Sequence, residues 1–242
     1  MPRIGLLVPS SNTTVEPEFY RVLPREVTLH TARLFLTRIT PESILRMVED
    51  LEAQSRLLAS AEVDVIVLGA TAPSFLKGLG YDSELIAKVA AATGKRATTT
   101  STALIEALAH LGVKRVALGS AYDDKVNGIA CAFIEASGVR VVNAAGLGLV
   151  DNLAVGRLGP DTAYELGCNV NHPDAEAIVL ACTNWQTMDA LERLEAAVGK
   201  PVISTTQVSI WAALRMLDWR RPIEGYGRLL RDLGGQETAR QA

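Results

Sequence analysis

The chain has 242 residues, 48% hydrophobic and 21% charged, with a formal net charge of −3. That is enough apolar material for one large core or two smaller ones, and the acidic balance, without a basic stripe or an aromatic-interleaved Lys/Arg cluster, argues against nucleic acid as a partner. No apolar run approaches the roughly 18 residues of a membrane span, no signal-peptide pattern precedes the first strand-like run, and three cysteines at 131, 168 and 182 have neither disulfide nor zinc spacing; the expectation is a cytoplasmic protein with reduced thiols.

In chain order, short Val/Ile/Leu runs alternate with longer stretches of helical period. Strands are expected at 4–8, 27–35, 64–69, 96–98, 114–119, 139–143, 177–181 and 202–204. Their continuous apolar character fits strands buried on both faces, as in a parallel sheet. Between them, 41–60 reads as one helix, with Ile44, Met47, Val48, Leu51, Leu57 and Leu58 on one stripe and Pro41 at its first position after Thr40. Further helices are expected at 82–92, 101–111, 123–137, 160–171, 187–198 and 206–217, with Gly94, Gly112, Gly138 and Gly199 as stop signals. Alternating strands and helices imply the α/β class, with helices on both faces of a parallel sheet. The polar stretch 236–242 reads as a frayed tail.

The chain nearly repeats itself. Val65-Ile66-Val67-Leu68-Gly69-Ala70-Thr71 returns as Ala177-Ile178-Val179-Leu180-Ala181-Cys182-Thr183, so that Ala70 and Cys182 stand 112 positions apart. The run from Arg3 to Ser10 is echoed from Lys114 to Ser120, and that from Thr93 to Thr99 from Val198 to Ser204. Two copies of about 110 residues are too few and too long for a solenoid and fit two similar lobes. The expected division is 1–100 with 206–235 as lobe 1 and 101–205 as lobe 2, the chain crossing between them. Facing copies would put Cys182 on one side of a cleft and the inert methyl of Ala70 on the other.

No P-loop or dinucleotide-binding glycine pattern is present, and His30, His110 and His172 are scattered without a metal-binding rhythm. A metal or cofactor therefore has no support, and the histidines read as surface or packing residues. Chemistry is expected at the carboxyl ends of the strands. Four of these are rich in small hydroxyl and amide residues: Pro9 to Thr14, Ala70 to Ser74, Ser120 to Tyr122, and Cys182 to Asn184. Such loops supply N–H and O–H donors near helix N-termini and fit an anion-accepting cleft. Cys182 ends a strand at the cleft mouth, where a thiol acts as an acid or, ionised, as a base. Cys131 and Cys168 lie mid-helix and read as structural.

The chain resembles the aspartate/glutamate racemase superfamily, in its arylmalonate decarboxylase and maleate cis-trans isomerase branch, over roughly residues 3–232. Isomerase-like stretches are Val8 to Glu16, Asp151 to Leu158 and Ala181 to Asn184; decarboxylase-like stretches are Thr98 to Ala103, Ala121 to Asn127 and Gly225 to Leu229. The resemblance implies two pseudo-symmetric Rossmann-like α/β lobes, each a parallel sheet flanked by helices, with the active site in the cleft between them and no cofactor. It also implies a cysteine at both matching strand ends in racemases and isomerases, and only at the second in decarboxylases. Here Cys182 is present and the position of the other thiol is Ala70.

Racemisation needs proton donors and acceptors on both faces of a carbanion, and isomerisation by this family's route needs a first thiol to add to the double bond; alanine does neither. Decarboxylation needs a site for an enediolate and one acid. The leading expectation is thus a decarboxylase of α-substituted malonates, small dicarboxylates, with one-sided protonation by Cys182. Thr71, Tyr122 and the N–H groups near Ala72, Cys182 and Thr183 would hold the carboxylate and enediolate. Leu36, Ile39 and Val155 would form an apolar pocket for the departing group. Ser11, Asn12 and Asn152 are also expected to bind substrate; decarboxylases lack the amides of Asn12 and Asn152, and Ala72 stands where they carry a second hydroxyl.

Those departures keep two alternatives open. One is a maleate isomerase-like or racemase-like enzyme whose first cysteine is replaced at Ala70, naturally or by engineering. The other is a non-catalytic protein that binds small dicarboxylates between two lobes. Trp185, Trp211 and Trp219 are as compatible with a homo-oligomer interface as with cores.

Overall fold

The computed structural model describes residues 1–234; the expected tail at 236–242 lies outside them. The chain runs β1 (Arg3–Pro9), α1 (Val15–Val22), β2 (Thr28–Leu34), α2 (Pro41–Glu49), α3 (Leu51–Ser60), β3 (Val65–Leu68), α4 (Thr71–Phe75), α5 (Tyr81–Thr93), β4 (Arg96–Thr99) and α6 (Thr100–His110). It continues through β5 (Arg115–Tyr122), α7 (Asp124–Ala136), β6 (Arg140–Leu149), α8 (Asn152–Gly156), α9 (Pro160–Val170), β7 (Ala177–Ala181), α10 (Met188–Val198), β8 (Val202–Ser204), α11 (Thr205–Met216) and α12 (Arg228–Arg231).

Two four-stranded parallel sheets result, ordered β2-β1-β3-β4 and β6-β5-β7-β8. The orders are identical once β1 to β4 are matched to β5 to β8, so the sequence repeat is a repeat of topology. Strands β3 and β7 lie inside their sheets and every residue in them is buried, which is why both are unbroken apolar runs. Their carboxyl ends deliver Ala70 and Cys182. Helix α11 packs on α6, α1, β3 and β4 as well as on β7 and β8, and so ties the two sheets together. Helix α6, expected at the start of lobe 2, packs on β4, α4, α5 and α11.

The expected 41–60 helix is two helices. The break is at Asp50, whose backbone (φ −88°, ψ 1°) departs from helical values; aspartate competes for backbone hydrogen bonds and favours helix ends over interiors. Helix α2 then reaches α4, while α3 packs on α5, β1 and β2. The shift in phase leaves Leu57, expected on the buried stripe, 63% exposed. Thr40 caps α2 as expected, its Oγ1 accepting from Ser43 N–H. Gly94 and Gly199 close α5 and α10 in the left-handed conformation.

Four helices went unread in the sequence: α1, α4, α8 and α12. Pro17 in the first turn of α1 lacks only an N–H that needs no intrahelical acceptor. The other three are single turns. Trp185 and Trp211 are fully buried in cores, and Trp219 is partly buried against them. Among the described residues no helix is long and apolar enough to cross a membrane, and no cluster of His, Cys, Asp or Glu is placed to hold a metal.

Candidate active site

The carboxyl ends of β1, β3, β5 and β7 converge on one small cavity. Cys182, Thr183 and Asn184 line it from β7, and Ala70, Thr71, Ala72 and Pro73 from β3. Tyr122 enters from β5, and Pro9 and Asn12 from β1. Leu36, Ile39 and Asn152 complete the lining. Its empty space is about 280 Å³, part of it continuous with solvent.

Of the residues expected at the site, the fold brings together Cys182, Ala70, Thr71, Ala72, Tyr122, Thr183, Asn12, Asn152, Leu36 and Ile39. Ser11 and Val155 are not among the lining residues. Ser11 stands one layer behind: its Oγ donates to the Leu36 carbonyl and accepts from Asn152 Nδ2 at 2.8 Å. Val155 is fully buried inside α8. Pro9, Pro73 and Asn184 line the cavity without having been assigned a role there.

Several polar groups expected to meet substrate are already engaged. Asn12 Oδ1 accepts from Thr14 N–H and Val15 N–H, both at 2.9 Å, an Asx turn that leads the chain into α1. Its Nδ2 donates to Thr183 Oγ1 at 3.3 Å, and that hydroxyl donates to the Gly69 carbonyl at 3.1 Å. Asn184 accepts from Thr13 N–H at 2.8 Å and donates to the Asn152 carbonyl, while its own carbonyl accepts from Thr14 Oγ1 at 2.8 Å. The Cys182 N–H, expected to face an oxyanion, donates to Thr205 Oγ1 at 3.1 Å. These amides and hydroxyls sew the turn after β7 to the loop after β1. Gly156 belongs to the same seam, because a Cβ there would come within 2.4 Å of Thr13 Oγ1.

Three side chains remain for chemistry. The Cys182 thiol is buried, and burial pushes its pKa up to about 11 against the opposing pull of the Asn184 N–H and the Tyr122 hydroxyl. It is therefore a neutral S–H at physiological pH. The Tyr122 hydroxyl is raised well above its ordinary value, chiefly by burial and then by the neighbouring Cys182. The Thr71 hydroxyl is buried without a hydrogen-bond partner; it lies near enough to Tyr122 to favour that group's ionised form but short of a formed bond. An unpaired buried hydroxyl on a cavity wall is a costly feature that a ligand oxygen would satisfy. Cys182 also holds φ at 152°, a backbone region that non-glycine residues occupy at a cost of about 1–3 kcal/mol and that concentrates at functional sites.

Beside the cavity, the segments after β2 and β6 make a short antiparallel contact. Ile39 N–H donates to the Val150 carbonyl at 2.8 Å and Asn152 N–H to the Thr37 carbonyl at 3.3 Å, with Arg38 opposite Asp151.

The family described as arylmalonate decarboxylase matches residues 4–230. The arylmalonate decarboxylase of Bordetella bronchiseptica is 32% identical over 233 residues, covering 94% of this chain and 96% of its own length. The crystal structure of the maleate isomerase Iso from Pseudomonas putida S16 superposes with a TM-score of 0.92 at 30% identity, over 96% of this chain and 99% of that one. A Nocardia farcinica maleate cis-trans isomerase, solved as a cysteine-to-serine mutant with a covalently bound succinylcysteine intermediate, gives 0.91 at 27% identity, over 96% and 98% of the two chains.

Proposed function

The chain belongs to the arylmalonate decarboxylase family, and from that premise we propose that it removes one carboxylate from an α-substituted malonate and protonates the product from Cys182. The observation that carries this reading is the pair facing the cavity: a neutral, buried thiol on one wall and the methyl of Ala70 on the other. A thiol held protonated is an acid. A wall without a second donor or nucleophile restricts delivery to one face.

The steps balance without an added oxidant or reductant. The substrate's retained carboxylate meets the Thr71 and Tyr122 hydroxyls and the first-turn N–H groups of α4 at Thr71 and Ala72, which have no acceptor within the helix. The bond to the other carboxylate breaks, its electron pair moves into the retained group as an enediolate, and carbon dioxide leaves. Donors already aimed at those oxygens stabilise the charge as it develops. Leu36 and Ile39 present apolar surface to the departing group, where loss of charge is favoured. The α-carbon takes the Cys182 proton, and water restores it to the thiolate.

Proton NMR of the protein with 2-methyl-2-phenylmalonate in D2O, beside Cys182→Ala, tests the reading. The expected result is decarboxylation with deuterium at the α-carbon in a single enantiomer, and a rate at least about 100-fold lower in the variant. No turnover by the unaltered protein, or equal turnover by the variant, sinks it.

A relative with a succinylcysteine intermediate keeps a second reading in play: an isomerase-like site whose nucleophilic position is Ala70. In its present form that site lacks the thiol that would add to a double bond, and one of the two Asn12 Nδ2 hydrogens that would bind a second carboxylate is given to Thr183 Oγ1.

A further inference from the structure

Glu18 occupies an apolar position. The buried residues of α1 are Val15, Glu18, Phe19 and Val22, so the acid lies on the core stripe and is 3% exposed. Its Oε1 accepts from the backbone N–H groups of Thr187 at 3.1 Å and Met188 at 3.2 Å. These amides open α10, where N–H groups have no partner within the helix. Its Oε2 is buried without a partner, and so are the Oγ1 atoms of Thr187 and of Thr206 on α11. Thr206 lies near enough to stabilise the ionised carboxyl. Helix α1, helix α11 and the turn that begins at Cys182 thus meet at one carboxyl group, only four residues separating Cys182 from Thr187.

We infer that Glu18 is a positioning residue that sets the geometry of the Cys182 turn through its own protonation state. Its catalytic meaning rests on the reading of Cys182 as the acid. Protonated, Glu18 keeps one oxygen on the two amides and offers an O–H to the orphaned Thr187 hydroxyl. Ionised, it brings a charge into a buried site and loses that donor. Burial pushes its pKa up to about 7, against the pull of Met188 N–H, Thr206, Arg21 and Thr187 N–H, so both forms are populated near neutrality.

The charged groups around it are few. Arg21, one turn along α1, lies 3.9 Å from Oε1 and is itself paired at 2.8 Å with Asp189 on α10. Strand β2, which also packs on α1, commits Arg33 to Glu16 and His30 to Thr28. Helix α11 contributes the neutral Thr206.

The test reads the thiol directly. Iodoacetamide alkylation of Cys182 is followed by peptide mass spectrometry, which separates it from Cys131 and Cys168, from roughly pH 5.5 to 9. Thiolate fraction alone gives a rate rising about tenfold per pH unit below the thiol's pKa. The unaltered protein should show a step near pH 7 on that line, and Glu18→Gln, fixed in a neutral form, should follow the line without a step. A straight line in the unaltered protein, or the same step in Glu18→Gln, overturns the proposal. Should Glu18→Gln fail to fold, Thr206→Val retains the carboxyl and removes a group that favours its ionisation; the step should then move to higher pH, and an unmoved step overturns the proposal. A step in a protein that does not turn over malonates leaves this inference standing and removes the decarboxylase reading. Turnover without a step does the reverse.

Discussion

The carboxyl ends of β3 and β7 hold equivalent places in sheets of identical strand order, yet they are built differently. At β3 the chain passes through Ala70 in ordinary extended geometry (φ −144°, ψ 118°) and enters α4 at once, the Ala70 carbonyl accepting from Ser74 Oγ. At β7 it passes through Cys182 at φ 152° and makes a turn before α10 begins at Met188. That turn is held from outside: by Gly69, Asn12, Thr13 and Thr14 near its start, and by Glu18 at its end. The duplicated strands fix where two groups face one cavity. The connections after them differ, and the unfavourable backbone at Cys182 persists because its surroundings over-determine it.

The most severe way to break this asymmetry is Ala70→Cys. A thiol on the second wall supplies the missing donor and nucleophile. The expected outcome is racemisation of a chiral 2-arylpropionate or isomerisation of maleate where the parent shows none, read by chiral chromatography and NMR. If neither reaction is detected in a folded variant, the equivalence of the two walls is wrong.

A smaller effect probes the hold on the turn. The folded pKa of Glu18, about 7, lies above its ordinary 4.5, so the folded state binds this proton more tightly. That contribution to stability is present in full below pH 4.5 and is lost as pH rises through 7. Glu18→Gln stays neutral throughout. Its stability relative to the parent should therefore grow from near zero in acid to roughly 3 kcal/mol at pH 8. Urea denaturation at pH 5 and pH 8 checks this, and a difference that does not grow with pH refutes it.

The smallest expected effect isolates the backbone. At Cys182, Ala and Gly both remove the thiol, but only Gly accepts φ 152° without strain. Cys182→Gly should be more stable than Cys182→Ala by about 1 kcal/mol, a difference thermal denaturation can resolve.

Much of this frame was legible in the sequence. Buried parallel strands are continuous apolar runs, and the near-repeat around residues 65–71 and 177–183 placed Ala70 and Cys182 at matching positions. The seam was not legible. Asn12 and Thr183 are 171 positions apart, and an amide next to a strand end reads equally as a ligand donor or as a cap. In the sequence Asn12 and Thr183 read as substrate donors; in the fold both line the cavity and also bond to each other. Glu18 did leave a signal: spacing from Val15, Phe19 and Val22 puts it on the apolar stripe of an amphipathic helix. Pro17 and the shortness of α1 hid the helix, and with it the misplaced acid.

Ile39 and Asn152, which line the cavity, sit on two segments joined by backbone hydrogen bonds. The amide hydrogens that join them, Ile39 N–H to Val150 and Asn152 N–H to Thr37, exchange with deuterium only when that contact opens. Their exchange reports how readily this wall of the cavity opens.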